Sequence, residues 1–420
     1  MRLEGRRALF ISYNGMLEPL GQSQVIPYLR ELSQEGVRFT LLSFERSNAF
    51  EPQGRAKCDA LREELAGQGI EWHWLRYHQR PSVPATFYDV VAGVRYAQRL
   101  LKRNKIELVH ARSHIPATMA LVLKRRFGVK MIFDVRGLMA EEYVDAEHWR
   151  EGNIPYRLTK RMERRAFLAA DGVVTLTERI WPIICDWPGL RGRKVAHEVI
   201  PCCADLTRFK FDEAARRDVR AELRLQDKLV VVYSGSIGGW YSTEELADFF
   251  CALLRVRPDA HFLCLTRGPH ELIERLMLER NIADEKYSVR AVAPASVPSY
   301  LSASDAGIAF YKPSLSRLAT SPVKVAEYLA CGLPVIINAG VGDCDTLIAR
   351  ENVGALVRDF NEAEYAKAAT AITDLLSDAP KTRQYTRAVA ERLFDVRTLG
   401  GERYTRLYEK IGRWGMGVRG

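Results

Sequence analysis

Hydrophobic residues along this chain fall into two patterns that alternate, and the alternation runs through the chain twice. Short continuous apolar runs read as strands buried on both faces. Longer stretches with an apolar residue every third or fourth position read as helices. In the first half, strands are expected over residues 8–13, 38–44, 70–75, 108–111, 130–135, 172–176 and 194–201. Helices are expected between them over 24–35, 50–66, 86–105 and 154–170, the third with an apolar stripe at Val90, Val91, Val94, Ala97 and Leu101. Residues 139–149 (MAEEYVDAEHW) read as an acidic, aromatic loop, and Thr177 as a cap on a helix carrying Trp181 and Trp187. The second half restarts with strands over 229–233, 261–266, 287–292, 306–311, 333–338 and 354–357. Its helices are expected from Thr243, from a Ser296 cap to Ala303, and over 323–330, 362–376, 380–393 and 398–412. Strand and helix in strict alternation predict an α/β fold with parallel sheets.

Each half opens with a strand, a glycine-bearing loop and a helix. The first loop, NGMLEPLG, ends at Gly21, followed by Gln22 and Ser23; the second is SGSIGGWYS, with Gly235 and Gly238. Neither is a G-x-G-x-x-G fingerprint, but glycine lets a helix N-terminus come close to a phosphate or a sugar. The most informative stretch is residues 311–342: strand end, a loop with Arg317, Thr320 and Ser321, a helix entered through Pro322, a turn at Gly332, then a buried strand. Proline suits the first turn of a helix. Free N–H groups and the dipole make that helix start an anion site, and Glu327, one turn in, can accept hydrogen bonds from sugar hydroxyls beside a bound phosphate.

The segment SPVKVAEYLACGLPVI resembles the donor-binding segment of the family-4 retaining glycosyltransferases, which have the two-Rossmann-domain (GT-B) fold, and the resemblance covers nearly the whole chain. It implies two Rossmann-like domains whose parallel sheets face a central cleft, with a last helix crossing back to the first domain. VIPCCADLTRF looks like the interdomain segment. The domains are then 1–205, joined by a C-terminal helix over about 398–420, for the acceptor, and 206–397 for the nucleotide-sugar donor. The implied donor-binding residues are Gly21, Gln22, Gly235, Gly238, Val292, Ser321, Pro322, Val323 and Glu327. The sequence departs from the family pattern in three places. Ala319 stands where a second Glu is usual, Arg136 beside Gly137 where a His is usual, and no Arg or Lys lies between Ser234 and Ser242. Arg cannot act as a base at neutral pH but can bind phosphate or orient a hydroxyl. Charge balance at a diphosphate then falls to Lys324, Arg267 and Arg317; Arg136, Lys324 and Arg267 are the catalytic candidates. His110, His114 and Glu141, near strand ends of the first half, are the acceptor-side candidates.

The resemblance implies metal-independent transfer of a sugar, from a nucleotide-diphosphate donor expected to be a UDP-sugar, to a hydroxyl of a glycan or lipid-linked acceptor. No cofactor is expected and no metal ligands are assigned. A net charge of +10 agrees with anionic partners, and basic clusters beside Trp181 and Trp187 have the composition of a peripheral membrane contact. Nucleic acid is not an expected partner, since no stacking or groove-reading motif is present. Eight scattered Cys with no metal spacing, no leader-like start and no long apolar run predict a cytoplasmic protein, peripheral to the membrane's cytoplasmic face. Two other readings stand beside the transferase: a nucleotide-sugar epimerase on the same fold, which needs acid and base side chains, and a non-catalytic basic binding protein.

Overall fold

The structure, a computed structural model, describes residues 2–411. It divides into two units, Met1–Pro201 with the segment from Val396 onward, and Cys202–Asp395. The sequence places this division four residues later, at 205/206.

In the first unit seven parallel strands lie in the order β3-β2-β1-β4-β5-β6-β7. They are β1 (Arg7–Ser12), β2 (Arg38–Glu45), β3 (Ile70–Arg76), β4 (Leu108–Arg112), β5 (Lys130–Asp134), β6 (Gly172–Thr175) and β7 (Ala196–Val199). In the second unit six parallel strands lie in the order β10-β9-β8-β11-β12-β13. These are β8 (Leu229–Ser234), β9 (Ala260–Leu265), β10 (Tyr287–Arg290), β11 (Ala306–Ala309), β12 (Val335–Asn338) and β13 (Gly354–Val357). Chain order reverses direction between β1 and β4 in one sheet and between β8 and β11 in the other. Such switch points leave a crevice at the carboxyl ends of the strands, where ligands bind in open α/β sheets.

All thirteen strands coincide with runs that the apolar pattern marks, none extending more than one residue beyond them. The differences are in the connections. The helix expected over 24–35 is two helices, Pro19–Gln24 and Ile26–Gln34, broken at Val25, whose φ −126° and ψ −65° are not helical. Pro27, in the first turn of the second helix, has no N–H to continue the first. The expected acidic loop contains a helix, Met139–Asp145. The helix expected after Thr177 starts later, as Ile180–Cys185 with Arg179 before it, and Ser296 precedes helix Val297–Ser302 without accepting from it. The last helix is Glu402–Lys410, led in by a π-helical turn at Val396–Gly401; residues 412–420 of the expected 398–420 lie outside the described residues. It belongs to the first unit, with Tyr404 and Tyr408 fully packed in its core. Trp181 stacks on His197 at 3.8 Å and Trp187 packs on Phe167 at 5.5 Å, so neither is a free interfacial side chain. All eight Cys are unpaired.

Candidate active site

In the second unit the loops leaving β8 and β11, the two switch-point strands, meet. Tyr241 bridges Tyr311, the Ser242 N–H donates to the Phe310 carbonyl at 3.2 Å, and the Lys312 N–H donates to Trp240 at 3.0 Å. Asn338, buried at the end of β12, both donates to the carbonyl and accepts from the N–H of Tyr311. The fold of the glycine loop follows from its sequence. Gly238 and Gly239 have φ +73° and +60°, the left-handed region that glycine enters without strain. The Gly238 N–H donates to the Thr243 hydroxyl and the Gly235 N–H to the Leu265 carbonyl, so neither is offered to a ligand. The N–H groups of Ser236, Ile237 and Gly239 have no partner among the described residues.

Helix Val323–Ala330 starts beside this loop, with Pro322 just before its first residue and no side-chain cap. Tyr328 fixes its height: the phenol oxygen accepts from the Ser234 N–H at 2.8 Å, and the ring lies against Gly307, where a Cβ would come within 2.3 Å of it. That seating buries Lys324. Its Nζ lies 4.1 Å from the ring centre of Tyr233, 4.3 Å from Tyr241 and 5.8 Å from Tyr311, and a Cβ on Gly235 would stand 2.9 Å from it. The ammonium has no hydrogen-bond partner among the described residues. Burial lowers Lys324 to about 7, against the opposing pull of Glu327. Glu327 is half-buried, its carboxylate also takes no hydrogen bond among the described residues, and burial raises it to about 7. Three ring faces supply cation–π attraction but no hydrogen bonds. A buried cation in that state is incomplete, and an anion would complete it.

The other residues expected at the donor are placed unequally. The Ser321 hydroxyl accepts from the Cys202 N–H at 3.0 Å, at the base of the same loop. Arg317 is buried, donates to the Ser316 hydroxyl and lies over the Trp240 ring at 5.5 Å. Arg267 stands exposed beyond β9, and Val292 is half-buried against the core beyond β10. The three tyrosines round Lys324 escaped the sequence reading. Their only signal was position, at the ends of β8 and β11 and in the loop between.

In the first unit several expectations are corrected. Gly21 is buried because its helix packs on the preceding loop: a Cβ there would stand 2.3 Å from the Gly15 carbonyl oxygen. The Gln22 side chain donates to the Met16 carbonyl of the same loop at 2.7 Å. Both contacts shape that loop. His110 is fully buried, its Nδ1 2.8 Å from the Tyr408 hydroxyl, so it faces the last helix and not an acceptor. Asp134 accepts from the Tyr404 hydroxyl at 2.9 Å and pairs with Arg136 at 3.5 Å and His110 at 3.6 Å. The Asp134 carboxyl is pulled well below its usual range by Arg136 and His110, which overcome the opposing effect of its burial. Arg136 also donates to Gln24 at 3.4 Å, so its guanidinium is engaged in this buried cluster.

His114 and Glu141 are brought together through two residues not expected there. His114 Nε2 lies 2.6 Å from Glu163 Oε1, and Lys160 Nζ bridges Glu163 at 2.6 Å and Glu141 at 2.7 Å. Glu141 Oε2 is buried without a partner among the described residues. Burial first, and the charge of Glu163 second, raise Glu141. Among the described residues no group of three or more His, Cys, Asp or Glu is placed to hold a metal ion.

Comparison with known proteins adds two kinds of likeness. The family described as "Glycosyl transferase 4-like domain" matches residues 24–181, and "Glycosyl transferases group 1" matches residues 228–378. No curated protein sequence matches the chain. Among solved structures, Anabaena HepE in complex with UDP aligns at TM-score 0.69 and 15% identity, over 96% of this chain and 100% of that one. The sucrose-phosphate synthase of Thermosynechococcus elongatus aligns at TM-score 0.69 and 17% identity, over 97% and 99%. WaaG, a glycosyltransferase involved in lipopolysaccharide biosynthesis, aligns at TM-score 0.63 and 15% identity, over 95% and 99%.

Proposed function

Because the chain belongs to the glycosyltransferases of the GT-B, family-4-like type, with a 4-like domain followed by a group 1 domain, we propose that its donor is a UDP-sugar bound by the second unit. The observation that carries this reading is Lys324, a buried ammonium with three aromatic walls and no hydrogen-bond partner among the described residues. A diphosphate supplies the missing acceptor oxygens. Free N–H groups at Ser236, Ile237 and Gly239, and at the uncapped helix start, add dipoles aimed at the same anion. Glu327 accepts from hydroxyls of the nucleotide ribose. UDP and UDP-glucose complexes of HepE, a protein of the same fold, favour uridine as the base.

In the reaction the acceptor oxygen bonds to the anomeric carbon while the bond from that carbon to the diphosphate oxygen breaks. The electron pair leaves with the nucleoside diphosphate and the acceptor's proton passes to it. Charge therefore grows on the leaving phosphate, where Lys324 stabilises it in the transition state more than in the ground state. Transfer proceeds with retention and without a metal ion. The acceptor is a glycan hydroxyl, free or lipid-linked, bound by the first unit. A peripheral contact with an anionic membrane fits helix Ile154–Ala169, which exposes Ile154 and Leu158 among Arg157, Arg161, Arg164 and Arg165. Among the described residues no helix is long and apolar enough to cross a membrane.

Thermal unfolding with UDP, GDP and ADP, with and without magnesium, tests the donor assignment. A shift selective for UDP and independent of magnesium is expected. No shift with any nucleotide would overturn the reading.

A further inference from the structure

Tyr13 and His78 stand just past the carboxyl ends of β1 and β3 in the first unit, and Asp89, on helix Ser82–Asn104, joins them. Asp89 is 1% exposed. Its Oδ2 accepts from the Tyr13 hydroxyl at 2.8 Å and from the His78 backbone N–H at 3.0 Å, and its Oδ1 lies 2.6 Å from His78 Nδ1. In the neutral imidazole a buried carboxylate at Nδ1 takes that N–H and fixes the ring's orientation, which leaves the lone pair on Nε2. His78 Nε2 has no partner among the described residues, and the side chain is 39% exposed. Asp89 already has two donors in Tyr13 and the backbone, so burying it does not call for an imidazole as well. The surround is aromatic: the Tyr88 ring meets His78 edge-on at 5.1 Å and the Tyr77 ring meets Tyr13 at 5.2 Å. Phe87 and Tyr88 are among the most exposed large apolar side chains of the unit.

We infer that His78 is an acceptor-binding residue: its Nε2 accepts a hydrogen bond from a hydroxyl of the acceptor glycan, with the exposed rings of Phe87 and Tyr88 against the apolar face of the sugar. Carbohydrate rings present hydroxyls at the edge and C–H groups on the face, and an oriented imidazole beside exposed aromatic rings matches both. The inference rests on the glycosyl-transfer reading and adds a named contact for its acceptor.

The test uses the full chain and three probes, octyl β-D-glucopyranoside, octyl α-D-mannopyranoside and octyl β-D-galactopyranoside, observed by saturation-transfer NMR, with UDP as a separate arm. At least one glycoside is expected to bind the unaltered protein and to bind at least tenfold more weakly to His78→Ala. His78→Asn keeps a donor to Asp89 but places nothing at the position of Nε2, so the same loss is expected there. Full binding by His78→Asn would show that the imidazole only props up Asp89 and would overturn the inference, as would no binding by any of the three glycosides. UDP binding should be equal in all three proteins. Absence of UDP binding in the unaltered chain would sink the transferase reading instead, whatever the glycosides do.

Discussion

Asp134 in the first unit and Lys324 in the second are both buried ionisable side chains near the carboxyl edge of a parallel sheet, and they are treated in opposite ways. Asp134 has Arg136, His110 and the Tyr404 hydroxyl around it, and its charged form is favoured. Lys324 has three aromatic rings and no hydrogen bond among the described residues, and its charged form is disfavoured. A buried charge that the fold itself completes belongs to the architecture: Asp134 ties the last helix to the sheet. A buried charge left incomplete reduces stability and marks a candidate functional site, which is why the proposed diphosphate site rests on Lys324.

The largest effect that would break this contrast is at Lys324. Lys324→Met keeps the volume and removes the charge. Turnover of donor is expected to fall by about two to three orders of magnitude, since one preorganised group facing the leaving charge is lost. Turnover near that of the unaltered protein would remove Lys324 from the chemistry. Next comes Asp134→Ala, which removes the buried carboxylate that Arg136, His110 and the Tyr404 hydroxyl share. Urea unfolding should show a loss of about 3–5 kcal/mol, with UDP affinity unchanged. A loss of UDP affinity at constant stability would reverse the roles given to the two sites.

The pH dependence follows from the same pair. The folded state holds Lys324 at about 7 against an ordinary 10.5, so between these values the unfolded chain binds more protons. Stability from this group therefore rises with pH from 7 towards 10.5. Glu327 is raised from 4.5 to about 7, so its contribution falls as pH rises across that range. The ligand-free protein should pass through a minimum in the pair's contribution near neutrality. Diphosphate binding favours the charged lysine, so UDP affinity should fall by up to about tenfold per pH unit above 7, and Lys324→Met should flatten that slope. Calorimetric titrations at several pH values would measure it. The smallest expected effect is at Glu327→Ala, about tenfold weaker UDP binding, the scale of one or two hydrogen bonds to a charged group. Unchanged affinity would leave Glu327 a purely structural helix residue.

The strands were legible because parallel strands are buried on both faces and their apolar runs stand out, as at residues 229–234. The break at Val25 was not, because apolar periodicity continues through it and only Pro27 marks it. Helix Met139–Asp145 was hidden by its acidic surface, since a short helix buried along one edge has little apolar signal. For the site, the run from Ser321 to Glu327 declared Lys324 and Glu327 through spacing and resemblance. The tyrosine walls did not show, because Tyr233, Tyr241 and Tyr311 converge only when the β8 and β11 loops fold together. His110 misled for a related reason: a polar residue at a strand end reads as crevice-lining, and nothing local says that the last helix, almost three hundred residues on, covers it.

The most direct test of the account measures unfolding of the unaltered protein and of Lys324→Met, each with and without UDP. Without UDP, Lys324→Met should be the more stable by about 1–4 kcal/mol, because an incomplete buried charge has been removed. With UDP at a hundredfold its dissociation constant the unaltered protein should gain about 2.7 kcal/mol, and Lys324→Met should gain little at the same concentration. Equal gains from UDP in both proteins, or a Lys324→Met that is less stable without ligand, would contradict the claim that Lys324 is held incomplete for a diphosphate.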